Sequence, residues 1–226
     1  MLPRRVLYAA VAAMAVVVIL AVVRSVSEDA QTTRSPVMGV ASTRWPVDTL
    51  RDWADFVDQL SIIRIESEAQ LSPSESVVEN GEGTVPRTVT ARIEQTLWRN
   101  PGSPRVDGLI TFGTWGWVAH DGVLTPATDE TGIRLEVGDQ VLAPLLLTPE
   151  GLWGPLSPGS VVPLANGGTA FAEAQRRSYP ELASILDRRT PEDVANLLAA
   201  VAPRPNAGAL RRLDPDARAR ALAEES

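Results

Sequence analysis

His120 and Asp121 stand side by side at the end of TFGTWGWVAHDG (residues 111–122), which also carries Trp115 and Trp117. His120 is the only histidine of the chain. An imidazole beside a carboxylate is half of a charge-relay arrangement. The other half would be a nucleophile, and no Gly-x-Ser-x-Gly elbow occurs. Adjacent residues on a strand end also orient each other's side chains poorly. With no cysteine in 226 residues, the chain has no thiolate nucleophile, disulfide framework, thiolate metal site or lipid-bearing cysteine. A tetrahedral zinc site would rest on one histidine and carboxylates alone, a poor donor set. The carboxylate pairs Glu66/Glu68 and Asp214/Asp216 fall in segments that read as solvated and belong to no motif. Neither a calcium loop nor a phosphate loop appears, and Gly167-Gly168 reads as a turn. No catalytic, cofactor-binding or metal-ligating residue is therefore assigned, no cofactor is implied, and the expectation is a protein that is not an enzyme.

The elements that would position these residues are mostly strands. Asp121-Gly122 suits the centre of a two-residue hairpin turn, pairing Trp117-Val118-Ala119 with Val123-Leu124-Thr125. Trp115 and Trp117, two apart, point to one face of an extended chain. The expectation is that they fill a core, the alternative being an outward aromatic platform. In VPRTVTARIEQTLW, Val85, Val89, Ala91, Ile93 and Leu97 share one parity, and Thr88, Thr90, Arg92, Glu94 and Thr96 the other, which marks a half-buried strand. SIIRIES, VDGLITF, IRLEV, QVLAPLLL, GLWGPL, VVPL and TAFA add short strands. Pro144, unable to donate to a ladder, places QVLAPLLL at an edge or a bulge. About eight strands predict a mainly β fold, a small antiparallel β-barrel or sandwich over 48–173. Glu68 to Gly83 reads as a long exposed loop.

Helices flank this module. Asp48 is a candidate N-cap for a helix carrying Leu50, Trp53, Ala54, Val57 and Leu60 at helical spacing. In the C-terminal segment 174–226, Thr190-Pro191-Glu192-Asp193 is a helix start before Val194, Leu197, Leu198 and Val201. Ser178 to Asp187 and the run from Asp214-Pro215 predict two more short helices.

The N-terminus supplies the expected address. Val6 to Val23 is an uncharged, almost wholly apolar run behind Arg4 and Arg5. As a helix it would measure about 27 Å, close to the hydrocarbon core of a bilayer. The reading is a cytoplasmic stub (1–5), a transmembrane helix (6–23) and a polar tether (24–47), with the bulk of the chain outside. A cleaved signal peptide ending near Ser25-Val26-Ser27 is the alternative. All 21 basic residues are arginine; without Arg4, Arg5 and Arg24 the remaining 18 face 28 acids, a net −10 for residues 25–226. So acidic a surface argues against nucleic-acid binding.

RTVTARIEQTLWRNPG, RLEVGDQVLAPLL and WGPLSPGSVVPL resemble stretches of uncharacterised membrane-anchored or secreted actinobacterial proteins. The likeness covers about residues 55–202 and departs at Gln140-Val141, where an aromatic is often found. It implies an extracytoplasmic β-barrel module followed by a capped helix, and no activity. The functional expectation is a non-catalytic, membrane-tethered cell-envelope module. Its partners would be the lipid bilayer, through the N-terminal helix, and another envelope protein or small polar ligand, through its loops. The alternative is an enzyme or enzyme accessory acting on cell-wall material, favoured if Trp115, Trp117 and Trp153 converge on one cleft with a carboxylate.

Overall fold

The computed structural model describes residues 45–128 and 131–224. The expected span 6–23 and nearly all of the tether lie outside them; among the described residues no helix is long and apolar enough to cross a membrane. The chain forms α1 (Leu50–Phe56), β1 (Gln59–Gln70), α2 (Glu75–Asn80), β2 (Gly83–Arg99), β3 (Leu109–His120), β4 (Val123–Pro126), β5 (Gln140–Leu147), β6 (Trp153–Pro155), β7 (Val162–Ala165) and β8 (Gly168–Thr169). Five short helices follow: α3 (Glu173–Ser178), α4 (Pro180–Leu186), α5 (Pro191–Ala200), α6 (Ala207–Leu210) and α7 (Pro215–Ala223). All strand pairs are antiparallel, in the order β4-β3-β2-β1-β5-β7-β8, with β6 also on β5.

This is one curled sheet, neither closed into a barrel nor split into a sandwich. Three register shifts in the β1–β2 ladder locally raise twist, as bulges do. The curl brings β6 over β3, so that a Cβ added at Gly154 would lie 3.4 Å from that of Phe112. Ile63, Ile65, Val89, Ala91, Ile110, Phe112, Val141, Ala143 and Leu145 fill its inside. A second core lies on the other face, where Leu60, Leu142 and Leu146 meet Trp53, Phe56, Leu182, Leu186, Val194 and Leu198 from the helices. Beyond Ile62 that same face turns polar, with exposed pairs Arg64–Glu94 and Arg92–Glu66. Hydrogen bonds from Gln140 and then Arg64 hold Glu94 below the usual carboxylate range.

Having a core on each face explains why QVLAPLLL is apolar without alternation, as fully buried strands are. It also corrects the edge placement inferred from Pro144. β5 is interior, flanked by β1 on one side and by β6 and β7 on the other. The Pro144 carbonyl accepts from Leu156 N–H at 2.8 Å, so its nitrogen faces the gap between the two short strands. There no ladder donor is needed.

Other elements differ from expectation. IRLEV forms no strand, and Val137 already belongs to a turn. It is pinned instead at its end, where Gly138 N–H donates to Ile65 O and Ile65 N–H to Asp139 O. Glu68 to Gly83 is not one loop: β1 runs to Gln70, and α2 occupies Glu75–Asn80. The cap of α1 is Thr49 rather than Asp48. Thr49 Oγ1 accepts from Asp52 N–H at 3.0 Å and Thr49 N–H donates back to Asp52 Oδ2 at 3.1 Å, a capping box. Leu60 belongs to β1, not to that helix. α5 and α7 start at the expected caps, Thr190 and Asp214. The helix expected over Ser178 to Asp187 is α4, joined by α3 before it.

Candidate functional site

The opening hairpin forms as a tight turn. Asp121 and Gly122 both take positive φ, 49° and 73°, and the ladder runs from His120↔Val123 to Trp117↔Pro126. The tryptophans do not fill the core: Trp115 is 40% exposed and Trp117 half-buried. A bulge puts them on opposite sides, Trp115 outward and Trp117 on the inward parity of Ala119. Val85 pairs with Trp117 but Arg87 with Thr114, so Trp115 and Gly116 together oppose Pro86. Inward positions are even before the bulge (Ile110, Phe112) and odd after it (Ala119), and the two-apart rule fails across it.

Arg87, on the apolar parity of β2, is fully buried behind this bulge. Its Nε donates to Trp115 O at 2.8 Å and its Nη2 to Leu135 O at 2.7 Å, while Nη1 pairs with Glu68. One guanidinium thereby ties β1, β2, β3 and the 131–139 segment together. Arg134 lies over the Trp117 ring, 5.0 Å from its centroid. Trp117→Ala should accordingly cost about 1–2 kcal/mol in denaturant unfolding, below the ~3–5 kcal/mol of a fully buried aromatic. A loss at the buried value would show that Trp117 carries core packing after all.

His120 is 76% exposed, with Nδ1 3.3 Å from Glu82 and Nε2 3.6 Å from Asp121. Glu82 reaches it because the α2–β2 turn touches the hairpin: Gly122 N–H donates to Gly81 O at 3.1 Å. Of the other carboxylates considered, Glu66 and Glu68 pair with Arg92 and Arg87, and Asp214 caps α7. That cap, a hydrogen bond from Ala217 N–H above all, holds Asp214 below the usual carboxylate range.

A shallow cleft lies elsewhere on the molecule. About 300 Å³ in volume, it is lined by Trp45, Phe56, Asp58, Leu146, Pro149 and Arg212, with Leu147 and Arg211 completing it. Trp115, Trp117 and Trp153 are not among its lining residues. Trp45 packs on Phe56 at 5.4 Å between ring centroids, and the Arg218 guanidinium lies 3.5 Å from the Trp45 centroid and 6.0 Å from that of Phe56. Burial pushes Arg218 below its ordinary value, Asp214 only partly opposing it.

The cleft wall is held by a row of buried carboxylates, Asp52, Asp55 and Asp58. Spaced by three, they share one side of α1 and its exit. Asp55 and Asp52 pair with Arg204. Burial alone would lower the Arg204 value; the bonds and charge of Asp55 and Asp52 outweigh it and hold the guanidinium above its ordinary range. Asp58 spends both oxygens: Oδ1 accepts from Ser103 Oγ at 2.6 Å and pairs with Arg211, and Oδ2 accepts from Leu147 N–H at 2.8 Å. Arg211 also donates to Asp55 O at 2.7 Å and Val57 O at 3.2 Å. Of the charged groups lining the cleft, Arg212 is the one left largely exposed, held only by Nε to Gly208 O at 3.1 Å.

Sequence reasoning missed this cleft and its carboxylate row. The spacing of Asp52, Asp55 and Asp58 was a visible signal, but their partners lie some 150 residues away. No protein-family model matches the chain, and comparison with curated proteins and with solved structures returns no match either.

Proposed function

We propose that this chain is a non-catalytic cell-envelope module, tethered to the membrane by residues 6–23, whose folded part lies outside and binds another envelope protein. This agrees with the sequence likeness to membrane-anchored or secreted actinobacterial proteins. The supporting observation is the cleft beside Trp45. It is a concave patch with Trp45 and Pro149 beside one exposed cation, Arg212, at the rim. Its single carboxylate, Asp58, already accepts three hydrogen bonds, which suits a structural role better than proton transfer. The contact surface is built from loop residues around Pro149 and Arg212, on a scaffold fixed by the helices and β5.

In cells, a photo-crosslinking residue at Pro149 or Arg212 should capture one envelope protein, and the same residue at Val123 on the hairpin should not. A reporter fused after Ser226 should be active only outside the membrane. Capture from Val123 alone would move the contact to the hairpin, and a cytoplasmic reporter would overturn the address. Absence of capture, together with cleavage of purified cell-wall material by the full chain, would favour the enzymatic alternative.

A further inference from the structure

Glu82, His120 and Asp121 can each present one donor atom within 4.8 Å of the other two. Against the expectation that one histidine with carboxylates is too poor a donor set, we propose that these three side chains form a water-completed surface site for a divalent transition-metal ion of the Zn2+, Ni2+ or Cu2+ kind, independent of the cleft and of the function proposed for it. Two donors on one tetrahedral ion, with bonds of about 2.0–2.1 Å, lie ~3.3 Å apart. The Glu82 oxygen stands 3.3 Å from Nδ1 and the Asp121 oxygen 3.6 Å from Nε2. One ring nitrogen takes the ion with its carboxylate; the second carboxylate either swings onto the ion or holds the other ring N–H, as carboxylates commonly do for metal-bound histidines.

The backbone presents these groups from tight turns rather than from free loops. Glu82 sits between Gly81 and Gly83, at φ 72° and 137°. A Cβ at Gly83 would fall 2.5 Å from Ser76 Oγ, so the turn is closely packed. The Gly122 to Gly81 hydrogen bond locks it to the hairpin tip. Among the described residues neither carboxylate is paired with an arginine, in a chain where most other ion pairs use one. Two carboxylates without an arginine partner beside an imidazole make an N,O donor set. The imidazole selects borderline transition metals over Mg2+ and Ca2+. Water would fill the remaining positions, since all three residues are exposed. The site plays no part in either core.

The test titrates the metal-stripped full chain with Ni2+ or Zn2+ alone, by calorimetry, and with Co2+ by visible absorption. The expected result is one saturable equivalent, removed by a chelator. His120→Ala should weaken binding about tenfold or more, and Glu82→Gln or Asp121→Asn should weaken it measurably. Circular dichroism of these exposed-site variants should match that of the parent chain. Absence of a saturable equivalent, or binding unchanged in His120→Ala, would overturn the proposal. So would binding unchanged in both carboxylate variants, which would leave a lone imidazole.

Discussion

Asp58→Ala is expected to lower unfolding free energy by about 3–5 kcal/mol, the range for removing one partner of a buried ion pair. The carboxylate is 7% exposed and bridges four parts of the chain: the end of α1, the 100–106 turn, the end of β5 and the segment after α6. Its loss leaves Arg211 with only carbonyl partners, and strands a Ser103 hydroxyl and a Leu147 N–H. Arg211 is 24% exposed, so water recovers some of the cost, and the lower half of the range is favoured. Urea unfolding of the parent, Asp58→Ala, Arg211→Met and the double variant separates the components. If the stranded cation carries the penalty, the double variant should be more stable than the sum of single losses predicts. An Asp58→Ala loss under about 1 kcal/mol would mean the network is hydrated and behaves as a surface pair.

How much of this was legible depends on the range over which each signal acts. The Asp121-Gly122 turn and the Thr190-Pro191 helix start are local, and they stand where the sequence puts them; the β2 alternation holds through Ile93, beyond which register shifts put Leu97 against the helix-side core instead. QVLAPLLL was legible as a buried strand but not as an interior one. Only the split of its second edge between β6 and β7 makes room for Pro144, and that is a fact of tertiary structure. IRLEV alternates as a strand would, yet it lacks a neighbour to pair with. Its parity holds at Leu135, which is buried, and fails at Val137, which is exposed, and alternation says nothing of ladders. Arg87 was a signal passed over: an arginine on the apolar parity of the clearest strand asks for buried partners, and it has three. The hairpin was read correctly as a turn and incorrectly as a tryptophan core. The two-apart rule could not show the bulge at Trp115-Gly116.

Gly116→Ala should be among the most damaging conservative changes in the chain, about 3–5 kcal/mol, at the upper end of overpacking effects. A Cβ there would lie 2.1 Å from Val85 O, 3.0 Å from Pro86 C and 3.1 Å from Arg87 N. These are backbone atoms of β2, so no side chain can rotate away. Relief requires β2 and β3 to separate at the bulge. That motion would pull Trp115 O from Arg87 and Gly116 O from Arg134 and from Ala127 N–H. The clash thus spreads into the buried guanidinium that joins β1, β2, β3 and Leu135. Gly208→Ala is the matched control. It lies within α6, and a Cβ there meets nothing within 4 Å, so the same methyl group should stabilise by up to about 1 kcal/mol through helix propensity. Denaturation midpoints of the two variants should therefore move in opposite directions. A Gly116→Ala midpoint equal to that of the parent would show that the bulge opens without loss. The parity flip would then not fix the Trp115/Trp117 hairpin in place.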